Sequence, residues 1–252
     1  RRLLHVSNLF LNEPAIELAE RLCERSFADQ VYFCNSGAEA NEAALKMARR
    51  YQKLVKGEDR YEFICATQSF HGRTWAAISA TGQPKYHEGF APLVPGFIHV
   101  PYDDLEAMRG AIPSNTCAIF VEPLQGEGGL IVPSEGYLSK AKALCEKYNV
   151  LFIADEVQTG IARTGRLLAT CGNCSCEDKN CSGVPEVKPD ILILGKALSG
   201  GVYPVSAVLA NDEIMKVIQP GNHGSTFGGN PIAAAVSIAA LTVVKDEKLA
   251  DN

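Results

Sequence analysis

A lysine that closely follows a short apolar run is the first residue of this chain that could do chemistry. Ile191–Leu194 predicts a strand that is buried on both faces, and Lys196 comes two residues later, with glycines on either side. An ammonium group at the end of a buried strand is costly unless it is paired, neutralised or used covalently. Lys196 is therefore either a covalent catalyst or a loop lysine whose charge reaches solvent.

Carboxylates follow two other apolar runs. Asp155 comes directly after Leu151–Ala154, and Glu122 and Glu127 follow a separate run. A carboxylate that emerges from a buried strand needs a cationic partner, since an unpaired one takes up a proton. For Asp155 that partner is either an arginine such as Arg163 or a protonated ring nitrogen of a cofactor. Taken singly, Glu122 and Glu127 are equally well explained as loop acids in contact with water.

The turn Ser36-Gly37-Ala38 comes between an apolar run and a long helical pattern. A small, glycine-containing turn at a helix start exposes free backbone N–H groups and the positive end of the helix dipole, which suits a phosphate. Considered alone, the same turn is an ordinary capped helix start. It contains neither the lysine of an ATP-binding phosphate loop nor the three glycines of a dinucleotide-binding turn.

A third segment, Gln68–Thr74, again follows an apolar run. Phe70 could lie against a flat ring, and Arg73 could bind a carboxylate through two hydrogen bonds. We expect His71 to be a hydrogen-bonded structural histidine rather than a metal ligand, because no second ligand lies at metal spacing.

These groups fit together if they meet at one edge of a sheet. A phosphate cradle, a stacking aromatic, an aspartate and a lysine are what pyridoxal 5'-phosphate (PLP) requires. Lys196 would bind its aldehyde carbon, Asp155 would keep its pyridine nitrogen protonated, and the turn at Ser36 would hold its phosphate.

The elements that position these residues alternate along the chain. Short apolar runs are separated by segments of helical period, which predicts a mostly parallel α/β sheet with ligands at the carboxyl ends of its strands. One predicted helix opens at Pro133 and Ser134 and continues to Tyr148. The predicted strands are Val31–Cys34, Tyr61–Ala66, Ala118–Val121, Val150–Ala154, Ile191–Leu194 and Val205–Ala210.

Composition limits the possible partners and compartment. With 46% hydrophobic residues and a net charge of −5, the 252-residue chain is globular and offers no basic face for nucleic acid. No apolar run approaches the length of a membrane span. The expected compartment is the cytoplasm, with the mitochondrion as the alternative because the chain does not begin with methionine. Cys34, Cys65, Cys117 and Cys145 fall in predicted helices or strands, as buried free thiols do.

Six motifs together resemble the class III aminotransferases of fold type I. The resemblance covers nearly the whole chain, and it implies a large domain with a mostly parallel sheet flanked by helices, in a homodimer with active sites at the subunit interface. The motifs are Asn35–Ala40, Phe70–Thr74, Val121–Pro123, Asp155–Gly160, Gly195–Ala197 and His223–Pro231.

The resemblance assigns roles position by position. Lys196 resembles the Schiff-base lysine, Asp155 the partner of the pyridinium nitrogen, and Gln158 the neighbour of the ring hydroxyl. Phe70 matches the residue that stacks on the ring. The phosphate site is matched by Ser36, Gly37 and Ala38, and a segment that reaches the other subunit's phosphate is matched by Ser225 and Thr226.

The same resemblance implies a substrate. The segment 194–230 is most similar to ornithine aminotransferases, whereas 27–83 is most similar to acetylornithine and succinylornithine aminotransferases. We expect transfer of the side-chain amino group of ornithine to 2-oxoglutarate, with acetylornithine or succinylornithine as the alternative donor. Arg73 would then bind a substrate carboxylate, and Glu127 resembles the acid that masks a second arginine.

The chain also departs from the family pattern. Residues 1–252 match a cofactor-binding large domain alone, so we expect a fragment that lacks the amino-terminal segment and the carboxy-terminal small domain. An insertion at 167–188 contains Cys171, Cys174, Cys176 and Cys181, which could bind zinc or form a plain loop of reduced thiols. Two other functions stay open: a mutase or racemase that uses the same cofactor, and an inactive truncated homologue that binds a metal or a partner.

Overall fold

The structure is a computed structural model that describes residues 4–170 and 187–251. In chain order the helices are α1 (Glu13–Glu24), α2 (Gly37–Leu54), α3 (Trp75–Ala80), α4 (Leu105–Gly110), α5 (Tyr137–Tyr148), α6 (Asp212–Met215) and α7 (Pro231–Asp246). The strands are β1 (Gln30–Cys34), β2 (Glu62–Ala66), β3 (Phe97–Val100), β4 (Thr116–Val121), β5 (Leu151–Glu156), β6 (Ile191–Leu194) and β7 (Ser206–Ala210).

The strands form one sheet in the order β1-β7-β6-β5-β4-β2-β3. Pairing is antiparallel on both sides of β7 and parallel between the other neighbours, so β7 alone among these seven strands runs against the rest. The predicted mostly parallel sheet flanked by helices is confirmed. Because the parallel strands share one direction, the segments that follow β2, β4, β5 and β6 all leave the sheet at the same edge.

Alternate residues of the central strands point into two apolar layers, one on each face of the sheet. On one face Phe152 and Leu192 pack with residues of α1, α5 and α7, such as Leu18. On the other face Phe63 and Ile193 pack with residues of α2 and α6. Burial on both faces explains why these strands are near-continuous apolar runs. The resulting core holds the strand ends of the site in place.

One predicted helix begins later than expected, and one strand was not predicted. The helix predicted from Pro133 begins at Tyr137, because Gly136 has a φ of 80° and the Tyr137 N–H closes a turn on the Ser134 carbonyl. Strand β3 was missed because its four residues, Phe97–Val100, are too short to show a clear alternation. The six predicted strands are present with their ends moved by at most two residues.

The ends of the predicted insertion are attached to the strand that carries Asp155. The buried Glu156 carboxylate accepts hydrogen bonds from the backbone N–H groups of Ala169 and Thr170, at 2.7 and 2.9 Å. The Val187 N–H then donates to the Thr170 carbonyl at 3.1 Å. The candidate zinc ligands Cys171, Cys174, Cys176 and Cys181 lie outside the described residues.

The four cysteines predicted to be buried free thiols are confirmed as such: Cys34, Cys65, Cys117 and Cys145. Burial raises the pKa of the Cys34 and Cys117 thiols to about 12. In residues 4–170 and 187–251 no helix has the length and apolar content that crossing a membrane requires.

Candidate active site

A cavity of about 530 Å³ opens at the carboxyl ends of the parallel strands, within the size range of small-molecule sites. It collects residues that were predicted separately from distant parts of the chain. Eight of the predicted site residues line it: Ser36, Gly37, Ala38, Phe70, Arg73, Asp155, Gln158 and Lys196.

Asp155 is buried and its carboxylate has three hydrogen-bond donors. The Asn41 side-chain amide donates to Oδ2 at 3.0 Å, and the backbone N–H of Val157 donates to Oδ1 at 3.1 Å. The His71 Nδ1 lies 2.8 Å from Oδ2. In the described part of the chain Asp155 forms no ion pair with Arg163, because Arg163 is exposed and Asp155 is not. These contacts fix the carboxylate at the cavity wall.

His71 is hydrogen-bonded, as predicted, and its partner is the aspartate of the site. Its ring stacks on Phe120 with centroids 3.8 Å apart, and its Nε2 is buried without a hydrogen-bond partner among the described residues. Asn41 was missed by the sequence reasoning. The available signal was an asparagine on the alanine-rich buried face of α2, where an unpaired amide would be costly.

Lys196 follows β6 in a left-handed backbone conformation, with a φ of 39°. Such a conformation is unfavourable for a lysine, and strained residues of this kind are enriched at active sites. The Lys196 Nζ donates a hydrogen bond to the Gln158 Oε1. Since Asp155 pairs with Ile193 of the neighbouring strand β6, the lysine and the aspartate leave the sheet side by side.

Gln158 is positioned by a glycine that the sequence reasoning did not single out. A Cβ added at Gly126 would overlap the Gln158 side-chain amide, so a larger residue there would displace this amide. Gly126 belongs to the segment that follows β4. The position of Gln158 therefore depends on a close approach between the ends of β4 and β5.

The start of α2 forms a shallow cradle at the cavity. The Ser36 hydroxyl accepts the Glu39 N–H at 3.2 Å, and the N–H groups of Gly37 and Ala38 have no acceptor within the helix. A Cβ added at Gly37 would lie 2.9 Å from a Val157 methyl carbon, so this position needs glycine. Val157, which also lines the cavity, was not predicted because an apolar residue carries no chemical signal.

Phe70 and Arg73 lie on the segment between β2 and α3. The Phe70 backbone N–H donates to the Glu122 Oε2 at 3.0 Å. The guanidinium carbon of Arg73 lies 5.3 Å from the centre of the Phe70 ring. Arg73 is exposed and is one of the residues that line the cavity.

Glu122 is a second buried carboxyl group at the cavity, and the sequence marked it only as a strand-end acid. Burial raises the pKa of the Glu122 carboxyl to about 8, and the negative charge of Asp155 adds to the rise. The backbone N–H groups of Phe70 and Gly126 act in the opposite direction. At neutral pH Glu122 is therefore mostly protonated, so the cavity carries less negative charge than its two acids suggest.

Three predicted residues are not part of the cavity lining: Glu127, Ser225 and Thr226. Glu127 and Thr226 are exposed. Ser225 lies beside the start of α2, where its hydroxyl accepts a hydrogen bond from the Asn35 amide at 2.9 Å. The structure thus brings eight of the predicted residues together in one cavity, and it leaves two predicted cofactor residues, Ser225 and Thr226, and one predicted substrate residue, Glu127, outside its lining.

The comparisons with known proteins agree with this geometry. The chain is 47% identical to a succinylornithine transaminase/acetylornithine aminotransferase of Pseudomonas aeruginosa and 48% identical to a mitochondrial ornithine aminotransferase of Drosophila melanogaster, over its full length in both. It also resembles the ornithine aminotransferase of Toxoplasma gondii, in a structure where PLP partially occupies the active site, with a TM-score of 0.91, 46% identity and 99% coverage.

The chain spans 59% of the length of the Pseudomonas relative, 56% of the Drosophila relative and 57% of the Toxoplasma chain. The family model for class III aminotransferases matches residues 1–252. Since that match covers the whole chain and the strand-end lysine and aspartate lie where the motifs require, the chain belongs to the class III aminotransferases.

Proposed function

We propose that this chain is the cofactor-binding large domain of a PLP-dependent aminotransferase that uses ornithine as its amino donor. One observation carries the proposal: Lys196 and Asp155, on neighbouring strands, line the same cavity as the start of α2. The proposed reaction moves the side-chain amino group of ornithine to 2-oxoglutarate. Ornithine then leaves as glutamate-5-semialdehyde, and 2-oxoglutarate leaves as glutamate.

The residues of the cavity fit PLP in type and in space. Gly37 keeps the cradle at the helix start open, because a Cβ there would meet Val157. Free N–H groups and the positive end of the dipole of α2 suit a phosphate. Asp155, held by His71 and Asn41, suits a protonated ring nitrogen, and Lys196 would hold the cofactor covalently through Nζ.

When bound, PLP supplies an electron-accepting ring that stabilises the charge left after the substrate carbon loses a proton. The residues of the chain provide the rest. Asp155 would contact the ring nitrogen, because Asn41, His71 and the Val157 N–H fix its carboxylate at the cavity wall. The Lys196 Nζ would accept the proton that the amine-bearing carbon loses, and Gln158 accepts a hydrogen bond from this Nζ and so orients it.

Substrate recognition falls to the residues at the cavity mouth. Arg73 would bind a donor carboxylate, because it lines the cavity and its guanidinium can form paired charge-assisted hydrogen bonds. Glu127 would mask a second arginine while the donor is bound, as the family resemblance implies. The homodimer is part of the same proposal, with Ser225 and Thr226 serving the partner subunit's phosphate site.

The choice between ornithine and acetylornithine rests on two opposed similarities. The motif region 194–230 favours ornithine, whereas the Pseudomonas relative carries both the succinylornithine and the acetylornithine names. Measuring kcat/KM for both donors with 2-oxoglutarate decides between them. We expect the higher value with ornithine, and a higher value with acetylornithine would replace our assignment.

The first test is whether PLP attaches at Lys196. Incubation with PLP should give a near-visible absorbance band, and borohydride reduction followed by peptide mass analysis should leave a pyridoxyl group on Lys196 alone. Lys196→Ala should abolish the band, whereas Lys53→Ala, which removes an exposed lysine on α2, should keep it. An unchanged band in Lys196→Ala would contradict the proposal. Consumption of 2-oxoglutarate then separates transamination from a mutase or racemase.

A further inference from the structure

Arg73 is held by packing rather than by hydrogen bonds. Within the described residues the Arg73 guanidinium has neither an ion pair nor a hydrogen-bond acceptor, although the Arg73 side chain is long, flexible and exposed. A free arginine of this kind would sample many rotamers, and fixing one of them for a ligand costs conformational entropy. Something other than a polar partner must therefore hold it toward the cavity.

Two aromatic rings contact this guanidinium. Its central carbon lies 5.3 Å from the centre of Phe70 and 5.7 Å from the centre of Tyr86. The two rings are 5.2 Å apart and tilted by 59°, so the three groups form a compact triangle. The ring faces attract the cation while its N–H donors stay free. Tyr86 contacts Arg73 but is not part of the cavity lining, so this contact lies outside the cavity.

Tyr86 is itself fixed by hydrogen bonds on both sides. Before it, the buried Gln83 side chain donates to the carbonyls of Gln68 and Ser69, at 3.2 and 3.1 Å. After it, the His87 Nε2 lies 2.9 Å and 2.8 Å from two carbonyls at the end of α3. Those contacts tie the Tyr86 segment to the loop that carries Phe70 and to the helix that follows Arg73.

We propose that Tyr86 is a positioning residue that holds Arg73 for the carboxylate of the substrate, and so selects donors and acceptors that carry one. This inference rests on the proposed function for the identity of the substrate. It does not depend on the transfer step, because the triangle prepares a carboxylate site whether or not an amino group is moved. Phe70 lines the cavity and contacts Arg73, whereas Tyr86 contacts Arg73 from outside the lining and also has the Lys85 Nζ 4.8 Å from its ring centre.

The expected size of the effect follows from the type of contact. A cation–π contact at an exposed site contributes about 0.5–1 kcal/mol, which corresponds to a change in Kd of about two- to fivefold. Loss of the guanidinium itself removes charge-assisted hydrogen bonds and should weaken carboxylate binding by about tenfold or more. Substitutions of Tyr86 and of Arg73 should therefore raise the Kd for a carboxylate at the same site by different amounts.

The test is the affinity for glutarate, a dicarboxylate that has no amino or oxo group to react. We measure its Kd by titration calorimetry on the full chain loaded with PLP and again without PLP. Tyr86→Leu should raise the Kd about two- to fivefold, and Tyr86→Phe, which keeps the ring, should retain the original Kd. Arg73→Gln should raise it about tenfold or more. Phe90→Leu, which removes an exposed aromatic nearby, should leave it unchanged.

A second readout separates positioning from a general structural effect. Tyr86→Leu should raise KM for ornithine without lowering kcat, leave KM for putrescine unchanged, and leave PLP affinity unchanged. The proposal fails if the original chain does not bind glutarate, if Tyr86→Leu binds it equally well, or if Tyr86→Leu also loses PLP. Failure of the proposed function is distinct from these results, because a chain that binds glutarate through Tyr86 and Arg73 could still move no amino group.

Discussion

Two carboxyl groups of the cavity are held in opposite ways. Asp155 accepts hydrogen bonds from the Asn41 amide and the Val157 N–H, and its Oδ2 lies 2.8 Å from the His71 Nδ1, so its carboxylate is fixed in position. Glu122 has two backbone donors, but burial and the nearby charge of Asp155 outweigh them and raise its pKa to about 8. The site therefore holds one carboxyl group in place by hydrogen bonds, and the raised pKa of Glu122 limits a second negative charge beside it at neutral pH.

The raised pKa of Glu122 predicts a pH dependence of stability. In the unfolded chain this carboxyl ionises near its ordinary value of 4.5, whereas in the folded chain it stays protonated up to about pH 8. The contribution of Glu122 to the free energy of unfolding is thus fully present below pH 4.5 and is lost as the pH rises towards 8. The loss is on the order of 1.4 kcal/mol for each pH unit. Glu122→Gln should remove this slope.

The measurement is the free energy of unfolding in urea, compared between the original chain and Glu122→Gln from pH 5 to about pH 8. Glu156, whose pKa burial also raises, is present in both proteins, so its contribution cancels in the difference. Parallel stability curves over that range would show that Glu122 is already ionised at neutral pH.

The sequence revealed residues whose chemistry is local and missed those that act across the fold. Lys196 and Asp155 could be predicted because each comes at the end of an apolar run and carries a charge that is costly beside a buried strand. Asn41 has a local signal only for its burial, and the sequence does not show its partner Asp155, which is 114 residues away. Tyr86 and Val157 were missed for a related cause, since their roles come from packing against residues of other segments.

At the scale of elements, the residue that caps the start of α2 also lines the cavity. The Ser36 hydroxyl accepts the Glu39 N–H and still has its own O–H to donate into the cavity. Asp104 caps α4 in the same way, with its carboxylate 2.9 Å from the Ala107 N–H, but it is not part of the cavity lining. Ser36 and Asp104 therefore have the same capping contact, and only Ser36 lines the cavity.

We expect Ser36→Ala and Asp104→Ala to have equal effects on folding and different effects on PLP. Each should lower the free energy of unfolding by about 0.5–2 kcal/mol, because each leaves one helix N–H without its acceptor. Ser36→Ala should also raise the Kd for PLP about tenfold, since a charge-assisted hydrogen bond to the phosphate is lost. Fluorescence titration with PLP and urea denaturation measure the two quantities. An equal loss of PLP affinity in both variants would show that Ser36 does not bind the phosphate.

Element order was easier to predict from the sequence than strand direction. Alternating apolar runs and helical segments identified six strands and the parallel character of the sheet. They could not show that β7 runs against its neighbours or that β1 lies at one edge next to it. Those features depend on how long connections pack, and no local pattern of β1 or β7 records the pairing of Gln30 with Ala210.

At the scale of the whole molecule, the amino-terminal segment carries an apolar patch. Leu9 and Leu11 are each 90% exposed, and Phe10 and Phe227 are also exposed. The Asn8 amide donates to the Ser225 carbonyl at 2.5 Å, which places this patch beside the segment proposed to serve the partner subunit. Contiguous exposed apolar side chains of this kind mark interfaces more often than free surface. A second copy of the chain is the partner that the proposed homodimer requires.

We therefore expect the chain to be a dimer at micromolar concentration and the double substitution Leu9→Asp with Leu11→Asp to make it monomeric. Two charges buried at an interface without partners are strongly unfavourable. The monomer should also bind PLP more weakly, because the partner's Ser225 would no longer be near the phosphate. Analytical ultracentrifugation and PLP titration test both effects. Leu54→Asp, at an exposed leucine that ends α2, is the control and should remain dimeric. A double variant that stays dimeric would place the subunit interface elsewhere.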